Sequence, residues 1–215
     1  MAPLAVRLAE AGYRAVAFDV AGHGESAETE ARWEWFIRDI GDVSTSLSTP
    51  LAGFIGHSAG ALAMMAARRI RSVPAAGFVC ICAPHHPYPP ITAIRQRLNP
   101  GDPVIRMYRN YLGTQFSSDW ESLETGFAWK DAGHDLLLCY DKTDRYIDKG
   151  DGELINAACP GSALVTYNQY GHTRILEAEP LAPVVTDFLR SKQVRGEAWE
   201  CRSSGVPSPT IALES

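Results

Sequence analysis

The chain has 215 residues, 46% of them hydrophobic, and a formal charge of −5 at pH 7, which suits one domain with a substantial core. An acidic balance without a basic run excludes a nucleic-acid partner as the primary reading; no Lys- and Arg-rich amphipathic helix points to an anionic membrane, and no apolar run reaches the roughly 18 residues of a spanning helix. Five cysteines without a C-x-x-C pair do not make a disulfide framework, which points to a reducing compartment and a cytoplasmic location.

In chain order, apolar runs alternate with helical patterns. A helix is expected over 3–11, a strand over 15–20, a helix over 28–47, a strand over 51–55, a helix over 59–71 and a strand over 77–83. Such alternation indicates a mostly parallel sheet covered by helices on both faces. Cys80 and Cys82 alternate along their strand and are expected to share one face as core residues. About fifty residues, 85–134, then precede the next strand. A structureless loop of that length is improbable in a compact domain. The amphipathic patterns over 91–98, 104–112 and 120–129 suit an inserted helical lid, in which Met107, Tyr108, Tyr111, Phe116 and Trp120 form either plain core or a pocket lining. Strands follow over 135–140 and 163–167. Beyond residue 190 the periodicity ends. Residues 191–215 are rich in Gly, Pro and Ser and read as a flexible tail, in which Trp199 and Cys201 pack only locally. The domain expectation is thus 1–190 with a lid at 85–134, and a tail at 191–215.

The most informative residue is Ser58. Gly56-His57-Ser58-Ala59-Gly60 fits G-x-S-x-G between an expected strand and an expected helix, the setting of a nucleophile elbow. Glycines two positions to either side let strand and helix approach closely, and the backbone N–H of Ala59 lies at a helix N-terminus, where unpaired donors favour a developing oxyanion. A serine nucleophile needs a histidine base and a carboxylate, in the chain order Ser, acid, His. Asp141-Lys142-Thr143-Asp144-Arg145 follows the strand at 135–140, and His172 follows the strand at 163–167. Both loops fall at the C-terminal edge of the sheet, where catalytic groups collect.

Taken together, the chain resembles the α/β-hydrolase family from residue 1 to about 190. Phe18-Asp19-Val20-Ala21-Gly22-His23-Gly24-Glu25-Ser26 is similar to the family's D-x-x-G-H-G-x-S segment after its fourth strand, G-H-S-A-G is the elbow, and the Asp144 and His172 loops resemble those after its seventh and eighth strands. The resemblance implies Ser58 as nucleophile, His172 as general base and acid, and Asp144 as the group that holds the imidazole. It favours Asp144 over Asp141, which is expected to be a solvated turn residue. His23 is given a loop-ordering role, His57 is expected to line a pocket with its ring away from the hydroxyl, and His134 to be a solvated loop residue. His85 and His86 are adjacent and lack a third ligand at a recognisable spacing, so no metal is implied. No cofactor is required.

The resemblance also has a gap. The family's first three strands and the His-Gly loop after the third have no counterpart, so the chain reads as N-terminally incomplete. The family's third strand lies between its fourth and fifth, so the strands at 15–20 and 51–55 are expected either to pair directly or to leave backbone groups unpaired. The missing loop supplies the second oxyanion N–H, whose loss costs roughly 100- to 1000-fold in turnover. The function expected is a serine hydrolase cleaving a small carboxylic ester, its partner a small-molecule acyl substrate. A dehalogenase would need a carboxylate where Ser58 stands. The alternative is a non-catalytic remnant or binding protein of the same fold.

Overall fold

The computed structural model describes residues 1–148, 150–200 and 210–214, with backbone alone for 194–200 and 210–214. A six-stranded, wholly parallel sheet runs β1 (Arg14–Phe18), β6 (Thr210–Glu214), β2 (Leu51–His57), β3 (Phe78–Ile81), β4 (Leu136–Asp141), β5 (Ala163–Tyr167). The outer strands β1 and β5 are only partly covered, whereas β2, β3 and β4 are buried almost throughout. These central strands read as unbroken apolar runs because helices cover both of their faces.

On one face lie α1 (Ala2–Glu10) and α9 (Leu181–Glu200), whose Leu4, Leu8, Leu181, Val185 and Leu189 pack with Ile55, Val79, Ile81, Leu137 and Cys139 of the sheet. The other face carries α2 (Trp33–Ser46), α3 (Ala59–Ile70) and α7 (Asp151–Ala158) over Phe54, Phe78, Cys80, Leu136, Leu138 and Tyr140. Residues 61–67 of α3, rich in Ala and Met, are all buried, because small side chains allow the helix to be enclosed on several sides. Between β3 and β4 come α4 (Pro89–Leu98), α5 (Asp102–Gln115) and α6 (Trp120–Glu124), followed by two short 3-10 turns. Prolines open α4 and α5, where the missing N–H costs nothing. Asp119 caps α6 by accepting the Ser122 N–H at 2.7 Å.

Several expectations need correction. The second helix starts at Trp33 rather than residue 28, because Arg32 is extended at its N-cap and Glu28 pairs instead with Ser26 and Arg38. Cys80 and Cys82 lie in opposite core clusters. The strand ends at Ile81, and Cys82 has a φ of +47°, which breaks the two-residue alternation. The boundary expected at residue 190 falls inside α9, and the segment read as a flexible tail contributes a strand. That strand, β6, takes the position between β1 and β2 that the resemblance gives to the third strand, so β1 and β2 neither pair directly nor face an empty slot. Cys201, residues 202–209 and the side chain of Trp199 lie outside the described residues.

Candidate active site

β2 ends at His57, and Ser58 begins the turn into α3 with φ +55° and ψ −124°. A non-glycine residue in this region costs about 1–3 kcal/mol and persists only where its surroundings impose it. Here the Ser58 N–H donates to the Ile81 carbonyl at 2.8 Å while the Ser58 carbonyl accepts from Ala61 and Leu62. Gly56 permits the turn, since a Cβ there would come within 2.5 Å of the Ala61 Cα. The result is an outward-facing hydroxyl with the Ala59 N–H at the first position of α3, where a helix has no partner of its own to offer.

His172 reaches this hydroxyl from the short helix α8 (Gly171–Arg174) after β5, its Nε2 lying 3.0 Å from Ser58 Oγ. Its Nδ1 is 2.7 Å from Asp144 Oδ2. With Nδ1–H donating to the carboxylate, Nε2 is left to accept the serine proton. The Asp144 side chain is 2% exposed, and its second oxygen accepts the Tyr146 and Ile147 N–H groups at 2.7 and 3.1 Å. Burial works to raise its carboxyl, but the hydrogen bonds from His172, Tyr146 and Ile147 outweigh it and leave the pKa below the usual carboxylate value. Asp144 is therefore ionised opposite the imidazole.

Asp141 is not a solvated turn residue. It is 1% exposed at the end of β4, where Oδ1 accepts from the Thr143 N–H and hydroxyl and Oδ2 from the Gln169 and Tyr170 N–H groups. Burial opposes its ionisation, yet hydrogen bonds from Thr143, Tyr170 and Gly171 bring its pKa down to about 2. Asp141 thus ties the Asp144 loop to the His172 loop. The sequence signal for it is its place as the first residue of the polar run, directly after the apolar strand.

His57 is the other residue whose part the sequence reading misses. Its Nε2–H donates to the main-chain carbonyl of His172 at 2.9 Å, and the two rings lie 4.7 Å apart. Burial, and then the neighbouring His172, lower its pKa to about 4, so the ring is a neutral donor that fixes the His172 backbone. It is absent from the pocket lining in which it was expected. His23 does stay in its loop, close to the Ala21 carbonyl and edge-on to Phe36, and His134 is exposed. His86 packs against Trp120 and Tyr88, with its pKa lowered to about 4 chiefly by burial.

Ser58, Ala59 and His172 open onto a cavity of about 520 Å³. Its walls come from Trp33, Pro84, Tyr88, one side of α4, and the loop of Arg145, Tyr146 and Ile147. None of Met107, Tyr108, Tyr111, Phe116 and Trp120 lines it: Phe116 and Trp120 are buried in the core, Met107 and Tyr111 are exposed, and Tyr108 packs against the core. The short segment after Pro84 brings α4, not α5 or α6, to the serine. Cys82, Asp144 and His172 offer ligand atoms within 4.8 Å of one another. Burial, reinforced by Asp144, raises the Cys82 thiol well above its ordinary value, so it stands protonated beside the carboxylate and is a poor metal ligand in that state. Among the described residues, no helix is long and apolar enough to cross a membrane.

Solved structures share this arrangement of strands and helices. A thermophilic esterase from Thermogutta terrifontis is 17% identical with a TM-score of 0.54, over 80% of this chain and 78% of that one. A monoacylglycerol lipase from Paleococcus ferrophilus is also 17% identical with a TM-score of 0.53, over 80% and 81%. Rv0554 from Mycobacterium tuberculosis reaches a TM-score of 0.59 at 13% identity, over 83% and 90%. At such identities the likeness is one of fold. No curated protein matches the chain in sequence. The sequence profile of the Alpha/beta hydrolase family, however, matches residues 1–187, and the chain belongs to that family.

Proposed function

We propose that the protein is a serine hydrolase that cleaves a small carboxylic ester through an acyl-enzyme. The observation that carries the reading is the continuous relay from Asp144 Oδ2 to His172 and on to Ser58 Oγ, with spacings of 2.7 and 3.0 Å. Ser58 Oγ attacks the ester carbonyl while His172 Nε2 takes its proton. The tetrahedral oxyanion meets the Ala59 N–H, and the proton then passes from His172 to the departing alcohol. Water, deprotonated by the same imidazole, attacks the acyl-serine and releases the acid, restoring the hydroxyl. Asp144 keeps Nδ1 protonated and stabilises the imidazolium formed in each half-reaction.

The helical insertion at 85–134 acts in this reading as a lid, with α4 as the part that meets substrate. The esterase and lipase among the structural neighbours accord with ester chemistry. Buried free thiols at Cys80, Cys82, Cys139 and Cys159 accord with a reducing, cytoplasmic setting. A fluorophosphonate probe tests the mechanism. Labelling at Ser58, together with turnover of a short-chain 4-nitrophenyl ester, is the expected result. Absence of labelling under conditions where the protein is folded would favour a binding protein that has kept the geometry without an activated serine.

A further inference from the structure

The cavity beside Ser58 has a charge character that ester hydrolysis alone does not explain. Its lining includes two arginines, Arg97 from the last turn of α4 and Arg145 from the loop after β4, and no aspartate or glutamate. The chain as a whole is acidic, with a net charge of −5, so a carboxylate-free wall with two guanidinium groups is a local reversal of sign. Neither arginine has a hydrogen-bond or ion-pair partner among the described residues. Elsewhere Arg32, Arg38, Arg69 and Arg71 each face a carboxylate, and on α4 itself Arg95 is turned toward Asp102. The remaining lining is suited to a short chain: Trp33, Pro84, Pro89, Ala93 and Ile147 are apolar, while Thr92 and Gln96 stand on α4 near Arg97.

A guanidinium is always charged and offers a planar fork of donors that matches a carboxylate. Both side chains are solvent-exposed, so together they set a positive potential at the cavity that salt can screen. Resting on the hydrolase reading above, we infer that the preferred substrate is an ester that carries a free carboxylate away from the scissile bond, as in a half-ester of a dicarboxylic acid. The apolar wall takes the intervening methylenes, and Arg97 and Arg145 take the distal carboxylate. Binding energy from this remote group then holds the ester carbonyl at Ser58.

The test compares three esters with the same leaving group: mono-4-nitrophenyl glutarate, its methyl ester, which has nearly the same shape without the charge, and 4-nitrophenyl butyrate. The half-ester should exceed its methyl ester in kcat/KM by about 10-fold or more at low salt, as hydrogen bonds to charged groups would give. The advantage should shrink at 0.5 M NaCl, where exposed charges are screened. R97Q and R145Q should each lower the charged-to-neutral ratio by about 3- to 10-fold, and the double variant should bring it near one. R106Q, at an exposed position outside the cavity, should leave that ratio where it was. Equal turnover of half-ester and methyl ester, or a ratio unmoved in the double variant, would overturn the inference while fluorophosphonate labelling of Ser58 left the hydrolase reading intact. Failure of that labelling would bring down both.

Discussion

The two halves of the sheet are assembled in different ways. From β2 to β5 every strand lies beside the next one in sequence, with helices carrying the chain over between them. This half ends in the three turns that hold Ser58, Asp144 and His172. On the other side, β1 and β2 are separated by β6, which comes from the far end of the chain. The consecutive half sets its register through nearby segments, and its C-terminal edge becomes a site because each crossover begins there. The β1–β6–β2 half gains ladder hydrogen bonds only after a distant segment has returned, which makes it the slower part to form and the part with most to lose. Chemistry and stability are therefore expected to fail separately.

The largest effects are expected in the consecutive half. Ser58→Ala, His172→Ala and Asp144→Asn should each lower kcat/KM for a 4-nitrophenyl ester by about 10⁴-fold, far from additively, because in the proposed mechanism the three act as one unit. Denaturant unfolding should change little for Ser58→Ala, which removes one oxygen from a strained turn. Near-native turnover by Ser58→Ala would rule out the covalent mechanism.

Ala212→Pro probes the other half. Residue 212 stands opposite Val16 on one side and Phe54 on the other, so proline removes a donor in the middle of the sheet and should cost about 3 kcal/mol or more. The expected outcome is a lower denaturant midpoint, or association through the released edges of β1 and β2. An unchanged midpoint would show that the β1–β6–β2 pairing contributes nothing to stability, and the contrast between the halves would collapse.

Much of the consecutive half is legible in the sequence. Apolar runs of strand length followed by helical periodicity place β2 through β5, and β1 in the other half as well, and G-x-S-x-G with the order Ser, Asp, His places the relay. What escapes has physical causes. The segment at 210–214 carries an apolar run too short to distinguish from tail, and only the demand of a sheet slot between β1 and β2 gives it a role. Asp141 and Asp144 look alike in a polar run, since sequence does not say which carboxylate meets His172 and which accepts from the neighbouring backbone. His57 looks like pocket lining until the His172 carbonyl arrives from a loop more than a hundred residues away. The pocket wall follows from the direction of the chain after Pro84, which aromatic content alone does not reveal.

The two aspartates sharpen the comparison, because both lie in the half that holds the candidate site yet have different partners. Asp141→Ala leaves part-buried donors on Thr143, Gln169 and Tyr170 without their acceptor, and should cost about 1–3 kcal/mol in unfolding. The sign of its pH dependence follows from a folded pKa of about 2 against 3.8: the contribution is present above pH 3.8 and fades as pH falls toward 2. Asp141→Asn should reduce turnover far less than Asp144→Asn does. The reverse ranking would transfer the acid role to Asp141 and leave the reaction class standing.

The smallest effect concerns Asp151, at the start of α7, whose carboxylate accepts the Tyr88 hydroxyl at 2.6 Å beneath the cavity wall. Burial, only partly opposed by that hydrogen bond, raises its pKa to about 6. For a carboxyl raised in the folded state, the favourable contribution is complete below pH 3.8 and is lost as pH rises through about 6, so at pH 8 the protein holds a charge that burial disfavours. Asp151→Asn keeps an acceptor for Tyr88 without the charge. The variant should therefore gain on the native protein as pH rises from 4 to 8, by about 1–2 kcal/mol, offset in part by the loss of a negative charge in the first turn of a helix. For a chain of this size that corresponds to a change of about 2–8 °C in the difference between the two melting temperatures. Scanning calorimetry of both proteins at pH 4, 6 and 8 reads it directly. A difference in melting temperature that stays constant across the range would mean that Asp151 titrates normally and that burial at the foot of α7 does not disfavour its charge.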